Sequence, residues 1–188
     1  MTEPRIPLLA PDEAKAATAV AGIPEITADL NVFRIWLHHP KLSRWLSDLL
    51  MGLLWEGRLD VRLRELVIMR LGWATASDYE WTQHWRIAGG LKVDEADLLA
   101  VRDWPSQERF GPAERAVLAA TDETLAEGAI SPATWSACEE HVSAEPQVLL
   151  ELVAAIGTWR MVSGMLRSLD VPLEDGVSSW PPDGRGPG

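Results

Sequence analysis

Glu80 and His84 lie four residues apart in the stretch Ser77-Asp78-Tyr79-Glu80-Trp81-Thr82-Gln83-His84, which holds the chain's single tyrosine and one of its four histidines. On a helix, residues at this spacing share a face. A carboxylate beside an imidazole fixes the ring tautomer and raises its basicity, and the ring trades a proton near neutral pH. Spacing alone equally describes a solvated helix pair worth a few tenths of a kcal/mol. The flanking Trp81 and Trp85 argue against that, because a tryptophan-bearing helix is not solvated all round.

Other residues nearby carry two readings each. Glu65, one helix earlier, complements the dipole at a helix start or partners His84. Tyr79 is a buried tyrosine with one hydrogen bond or the donor to a substrate oxygen. Ser77 is a helix cap or a site hydroxyl. Arg62, Arg64 and Arg70 read as salt-bridge partners, with Arg70 kept as a candidate for a substrate carboxylate. His38, His39 and His141 sit near expected helix ends, where they meet the negative end of the dipole, and no catalysis is assigned to them. Cys138 reads as a small core or interface residue.

The elements that must position these residues are helical nearly throughout. Apolar residues recur at three- and four-residue intervals, and no run alternates with period two long enough for a strand. Helices are expected over 12–21, from about Ile26 to Leu37, over 41–55, over 61–75 with Asp60 as N-cap, and over 78–88 with Gly89-Gly90 as its left-handed close. A short helix follows Asp94. After a loop at 103–112, Pro112, Ser131-Pro132 and Pro146 open three more, ending near Glu127, His141 and Leu169. The division expected is an N-terminal segment 1–24, a single helical domain 25–170, and a Pro/Gly-rich tail 171–188. The tail is expected to be extended or disordered unless a partner subunit binds it.

Composition bounds the partners. Of 188 residues, 47% are hydrophobic and 24% charged, ordinary for a globular chain, and the net charge is −11. That balance, with no basic cluster, disfavours nucleic acid and anionic membrane surfaces. One cysteine excludes an intramolecular disulfide and suits a reducing cytoplasm. The N-terminus makes a poor secretory signal, and the apolar run from Val148 to Leu166 is broken by Glu151 and Arg160, so no membrane span is expected. The zinc signature His-Glu-x-x-His is absent, and no metal or cofactor is expected.

Read as one unit, Arg62-Leu63-Arg64-Glu65, then Tyr79-Glu80-Trp81-Thr82-Gln83-His84, then Gly90-Leu91 and Asp94-Glu95 resembles the signature of the carboxymuconolactone decarboxylase family, which includes the alkylhydroperoxidase D-like proteins. The similarity extends weakly over most of 25–170. It implies an all-α alkylhydroperoxidase D-like bundle assembled as a homo-dimer, trimer or hexamer. Peroxidase members use a Cys-x-x-Cys pair helped by a glutamate and a histidine. On this chain the helpers fall on Glu65 and His84, and the thiol positions on Ser77 and Glu80. Neither can exchange disulfides.

The expectation is therefore a cofactor-independent enzyme, decarboxylase-like, acting by acid–base chemistry on a small cyclic or aromatic acid or lactone. His84, Glu80, Glu65 and Tyr79 would do the chemistry, with Trp81, Trp85, Ser77 and Arg70 lining the substrate. The alternatives are a non-catalytic small-molecule-binding or assembly protein, marked by Glu80 and His84 facing solvent, and a residual peroxidase needing a thiol near His84.

Overall fold

The computed structural model describes residues 3–188 and contains nine α-helices, with no strand among the described residues. The chain forms two compact units: the residues up to Glu56 with Met165–Ser178, and Gly57–Gly164 with Ser179–Gly188.

The first unit holds α1 (Pro11–Ala21), a 3₁₀ turn (Glu25–Asp29), α2 (Asn31–Trp36) and α3 (Pro40–Met51), which continues into a π-helical turn, Gly52–Glu56. The single helix expected from Ile26 to Leu37 is thus split. Asn31 stands at the break, where its backbone N–H bonds Glu174 Oε1 at 2.9 Å and its side chain bonds the carbonyls of Pro172 and Leu173. His39 does not close a helix, as expected, but opens one: its Nδ1 accepts the backbone N–H of Leu42 at 3.2 Å, capping α3.

The second unit contains α4 (Val61–Ala74), α5 (Asp78–Gly90), α6 (Glu95–Ala100), a 3₁₀ segment (Val101–Ser106), α7 (Pro112–Glu127) and α8 (Pro132–His141). Most of α9 (Pro146–Ser168) also belongs to it. Asp60 caps α4 by accepting from the N–H of Leu63, an interaction worth ~1 kcal/mol. Asp94 caps α6 in the same way through Ala96. Gly89 and Gly90 remain inside α5; the left-handed residue that ends it is Lys92, at φ 62°. Leu66, Val67, Ile68, Met69 and Leu71 of α4 are fully buried, so α4 is the central helix of this unit. One ion-pair network ties it to α6 and α7. Arg62 reaches Asp97 and Glu114, and Asp97 also takes Arg109.

α9 is long and apolar enough to cross a membrane by length and composition only, and half of its most apolar window is buried inside the fold. Leu152, Ala155, Ile156 and Trp159 are its packed face, which accounts for the apolar character as core burial.

Candidate active site

A tight turn builds the site. Ser77 N–H bonds the carbonyl of Gly72 at 2.8 Å, Ala76 takes φ 53°, and α5 folds back along α4. The approach is close at Gly72, where a Cβ would lie 3.0 Å from the backbone nitrogen of Trp81. Glycine is what lets the two backbones sit this near.

The fold-back sets Glu65 of α4 against His84 of α5. His84 Nδ1 lies 2.8 Å from Glu65 Oε2, and Glu65 Oε1 accepts two bonds from the Arg64 guanidinium, at 3.0 and 2.9 Å. Glu65 is 0% and His84 4% exposed, so this is a buried chain of charge and not a surface pair. On the other side of the ring, Glu80 Oε1 lies 3.4 Å from Nε2. The indole N–H of Trp159, on α9, donates to the same Nε2 at 3.0 Å. The ring planes of His84 and Trp159 meet at 84°.

The three titratable groups are pushed in different directions. Burial raises the Glu65 carboxyl, but His84 and Arg64 outweigh it and hold the group below its usual range. Burial lowers the His84 imidazole, and Glu65 with Glu80 more than restores it, leaving it above its ordinary value. Glu80 has no cation of its own besides the ring, and burial pushes it up to about 7. One carboxylate stays ionised while the other carries or releases a proton near neutral pH.

Three buried oxygens near this cluster are incompletely used. Ser163, one turn beyond Trp159 on α9, approaches Glu80, yet neither Ser163 Oγ nor Glu80 Oε2 makes a hydrogen bond of regular geometry. Ser77 occupies the N-cap position of α5, but its hydroxyl makes no capping bond and no other hydrogen bond among the described residues. Capping does not account for it.

The remaining candidate residues are placed as follows. Tyr79 is buried on α5. Trp81 is fully buried, stacked with Trp85 at 6.0 Å and packed on Trp73 at 5.4 Å. Arg70 is engaged elsewhere: its guanidinium pairs with both oxygens of Asp122 and donates to the carbonyls of Val101 and Arg102. Cys138 is buried, its thiol bonded to the carbonyl of Ala116 and pushed by burial up to about 11. Trp159 and Ser163 were not singled out in the sequence. Their i, i+4 spacing marks a shared helix face, but nothing in the sequence ties that face to His84.

Residues 40–123 match the family model for the carboxymuconolactone decarboxylase family. Over those residues the chain is similar to that family. Among curated proteins none matches it. Solved structures at low identity share its fold. A peroxidase-related protein with an alkylhydroperoxidase AhpD core from Ralstonia eutropha JMP134 superposes with TM-score 0.72 at 18% identity, covering 93% of this chain and 94% of that one. A peroxidase-related protein from Silicibacter sp. TM1040 gives TM-score 0.72 at 14% identity, covering 94% and 97%. The debrominase Bmp8, as a cysteine-to-alanine variant in complex with 2,3,4-tribromopyrrole, gives 0.69 at 16% identity, covering 93% and 94%. The fold of this chain is thus AhpD-like, and it is all-helical among the described residues.

Proposed function

We propose that this chain is a cofactor-independent acid–base enzyme acting on a small cyclic or aromatic acid or lactone, with decarboxylation as the leading reaction. The observation that carries the reading is one buried imidazole flanked by two carboxyl groups of opposite character. Glu65, held ionised, sits on Nδ1 at 2.8 Å, and Glu80, titrating at about 7, sits beside Nε2 at 3.4 Å. Paired groups whose environments drive their pKa values apart are how one site supplies both an acid and a base at neutral pH.

Each residue then has a task. Glu65 fixes the Nδ1–H tautomer and favours the imidazolium when it forms. His84 and Glu80 exchange one proton at Nε2. In a decarboxylation the carboxylate carbon leaves as carbon dioxide, the bonding pair stays on the substrate carbon, and the proton from Glu80 or His84 is delivered to it. Ser77 at the N-cap of α5, Tyr79 on α5 and Ser163 on α9 are the candidate donors to the substrate oxygen that carries the charge.

Thiol chemistry has little support. Ser77 and Glu80 stand at the motif's two thiol positions, and Cys138 is buried with its pKa raised. The bound 2,3,4-tribromopyrrole of the debrominase lends support to a small planar ring as ligand on this scaffold. The burial of Glu80 and His84 speaks against the non-catalytic alternative, which would leave them in solvent.

The test is a panel of lactone acids and aromatic acids incubated in deuterium oxide, with carbon dioxide release and deuterium incorporation followed for the wild type, His84→Ala and Glu65→Gln. Turnover lost in both variants is the expected result. Turnover retained in both would remove the assignment.

A further inference from the structure

The second unit includes the last ten residues of the chain, and they are seated on a built surface. Contrary to the expectation of an extended tail, Ser179–Gly188 folds into a compact turn against α5 and the 3₁₀ segment. The seat has three parts. The first is aromatic: the Trp180 ring meets Trp73 edge-on at 5.8 Å and lies 6.0 Å from Trp81. The second is cationic: the Arg102 guanidinium lies over the rings of both Trp73 and Trp81, at 4.6 and 4.8 Å, and reaches both oxygens of Asp183, at 2.9 and 3.0 Å. The third is a set of fixed polar contacts. Trp81 donates its indole N–H to the carbonyl of Pro181 at 2.8 Å. The Asp78 carboxylate accepts from the Ser179 hydroxyl at 2.5 Å and from the Trp180 backbone N–H at 3.0 Å.

We propose that Trp73, Trp81, Arg102 and Asp78 form a peptide-binding site whose ligand is the chain's own C-terminal segment Ser179–Asp183. Aromatic walls are how proline-rich segments are commonly held, because the stiff peptide loses little freedom on docking. A guanidinium stacked on indoles is pre-ordered for a bidentate carboxylate. The seat in turn shapes the ligand. Trp180 is held at φ 49°, a region a non-glycine residue in a free peptide seldom occupies, and the N–H of Gly184 closes the turn onto the Trp180 carbonyl at 2.9 Å. Gly186 lies against the back of the Trp180 ring, where a Cβ would come within 3.0 Å of it. The site is separate in its chemistry from the Glu65–His84 cluster, and the inference stands whether or not the proposed reaction is correct.

The experiment uses the full-length chain with Trp180→Ala and Asp183→Asn combined, which leaves the seat intact and spoils its ligand. A fluorescently labelled peptide of residues 177–188 is titrated by anisotropy. Saturable binding about tenfold or more tighter to this variant than to the wild type is expected, because the tethered segment competes at high effective concentration. Adding Arg102→Ala should abolish the binding. Equal binding to wild type and variant, no binding to either, or binding that survives Arg102→Ala would each overturn the proposal. Should the double variant fail to fold by circular dichroism, Asp183→Asn alone is read by hydrogen exchange. Faster exchange of the Trp180 and Gly184 amides is expected, and unchanged exchange would count against it. Sedimentation should show the same species before and after the substitutions. Loss of a dimer would mean that a second copy supplies the segment, and the intramolecular assignment would fall.

Discussion

Trp159 donates its indole N–H to Nε2 of His84 across 3.0 Å, although 75 residues separate them in the chain. An indole N–H has no acceptor capacity, so Nε2 must present a lone pair there, and the ring proton belongs on Nδ1 facing Glu65. The raised basicity of the ring pulls the other way, toward an imidazolium that would turn an Nε2–H to Glu80. Both states have a partner in place. The neutral ring accepts from Trp159 and the charged ring donates to Glu80, and because Nε2 has one site for a lone pair or a proton, protonation breaks the Trp159 bond in favour of Glu80.

Replacing Trp159 by Phe removes the donor that favours the neutral ring. The His84 pKa is expected to rise further, with the tautomer preference weakened, as followed by nitrogen-15 chemical shifts of labelled histidine against pH. A smaller buried ring costs roughly 1–3 kcal/mol in stability. An unchanged His84 titration would show that the Trp159 bond does not govern the proton.

Glu65→Gln keeps the shape of the site and removes the charge. The ring loses its main electrostatic support, and the His84 pKa should fall. Arg64, 3% exposed, keeps its guanidinium buried beside a neutral amide, so the fold should weaken by about 3–5 kcal/mol in urea unfolding. Turnover, once found, should drop roughly 10²–10⁴-fold. A fold as stable as the wild type would mean that the Arg64–Glu65–His84 chain is not the pairing that satisfies these charges.

Helix order was largely readable from the chain because each start carries its own chemistry. Asp60, Asp94, Pro112, Ser131-Pro132 and Pro146 all stand where α4, α6, α7, α8 and α9 begin. The Ile26–Leu37 segment was not readable, because the partner that interrupts it is Glu174, 143 residues away from Asn31. The close of α5 was misplaced for a local reason: Gly89 and Gly90 can take the left-handed form, but Lys92 does so. Within the site, Glu65, Glu80 and His84 could be grouped because a motif spans them. Trp159, Ser163 and the tail's seat on Trp81 could not, because tertiary packing alone brings them there. The tail's composition suggested disorder, but it gains its order from an aromatic surface elsewhere in the chain.

Gly72→Ala tests whether the helix spacing holds the site together. The added Cβ would sit 3.0 Å from Trp81 N and 3.3 Å from its Cα, both backbone atoms that cannot rotate aside. Either α5 shifts outward or α4 strains, at a cost of about 1–3 kcal/mol. Thermal melts should show the loss, and the His84 titration should move toward its ordinary value as Glu65 and the ring separate. A stable variant with an unaltered titration would mean that the turn at Thr75–Ser77, and not this contact, sets the distance.

The pH dependence of stability separates the two carboxyl groups. Glu65 is depressed in the folded chain, so its contribution is present above the unfolded value of 4.5 and is lost as pH falls through the folded value. Glu80 is raised to about 7, so the folded chain binds its proton more tightly than the unfolded chain does. Its contribution is fully present below 4.5 and declines as pH rises from there to about 7. His84, also raised, adds a loss in the same direction from its unfolded value of 6.5 upward. Stability should therefore peak in mildly acidic solution and fall toward pH 8. Glu80→Gln imitates the protonated carboxyl and cannot ionise. It should flatten the decline between 4.5 and about 7, leaving the variant more stable than the wild type at pH 8 by on the order of 1–3 kcal/mol. Urea unfolding of both proteins from pH 4 to 8 measures it directly. Parallel curves would show that Glu80 titrates alike in the folded and unfolded chain, and that the proton exchanged at Nε2 has another source.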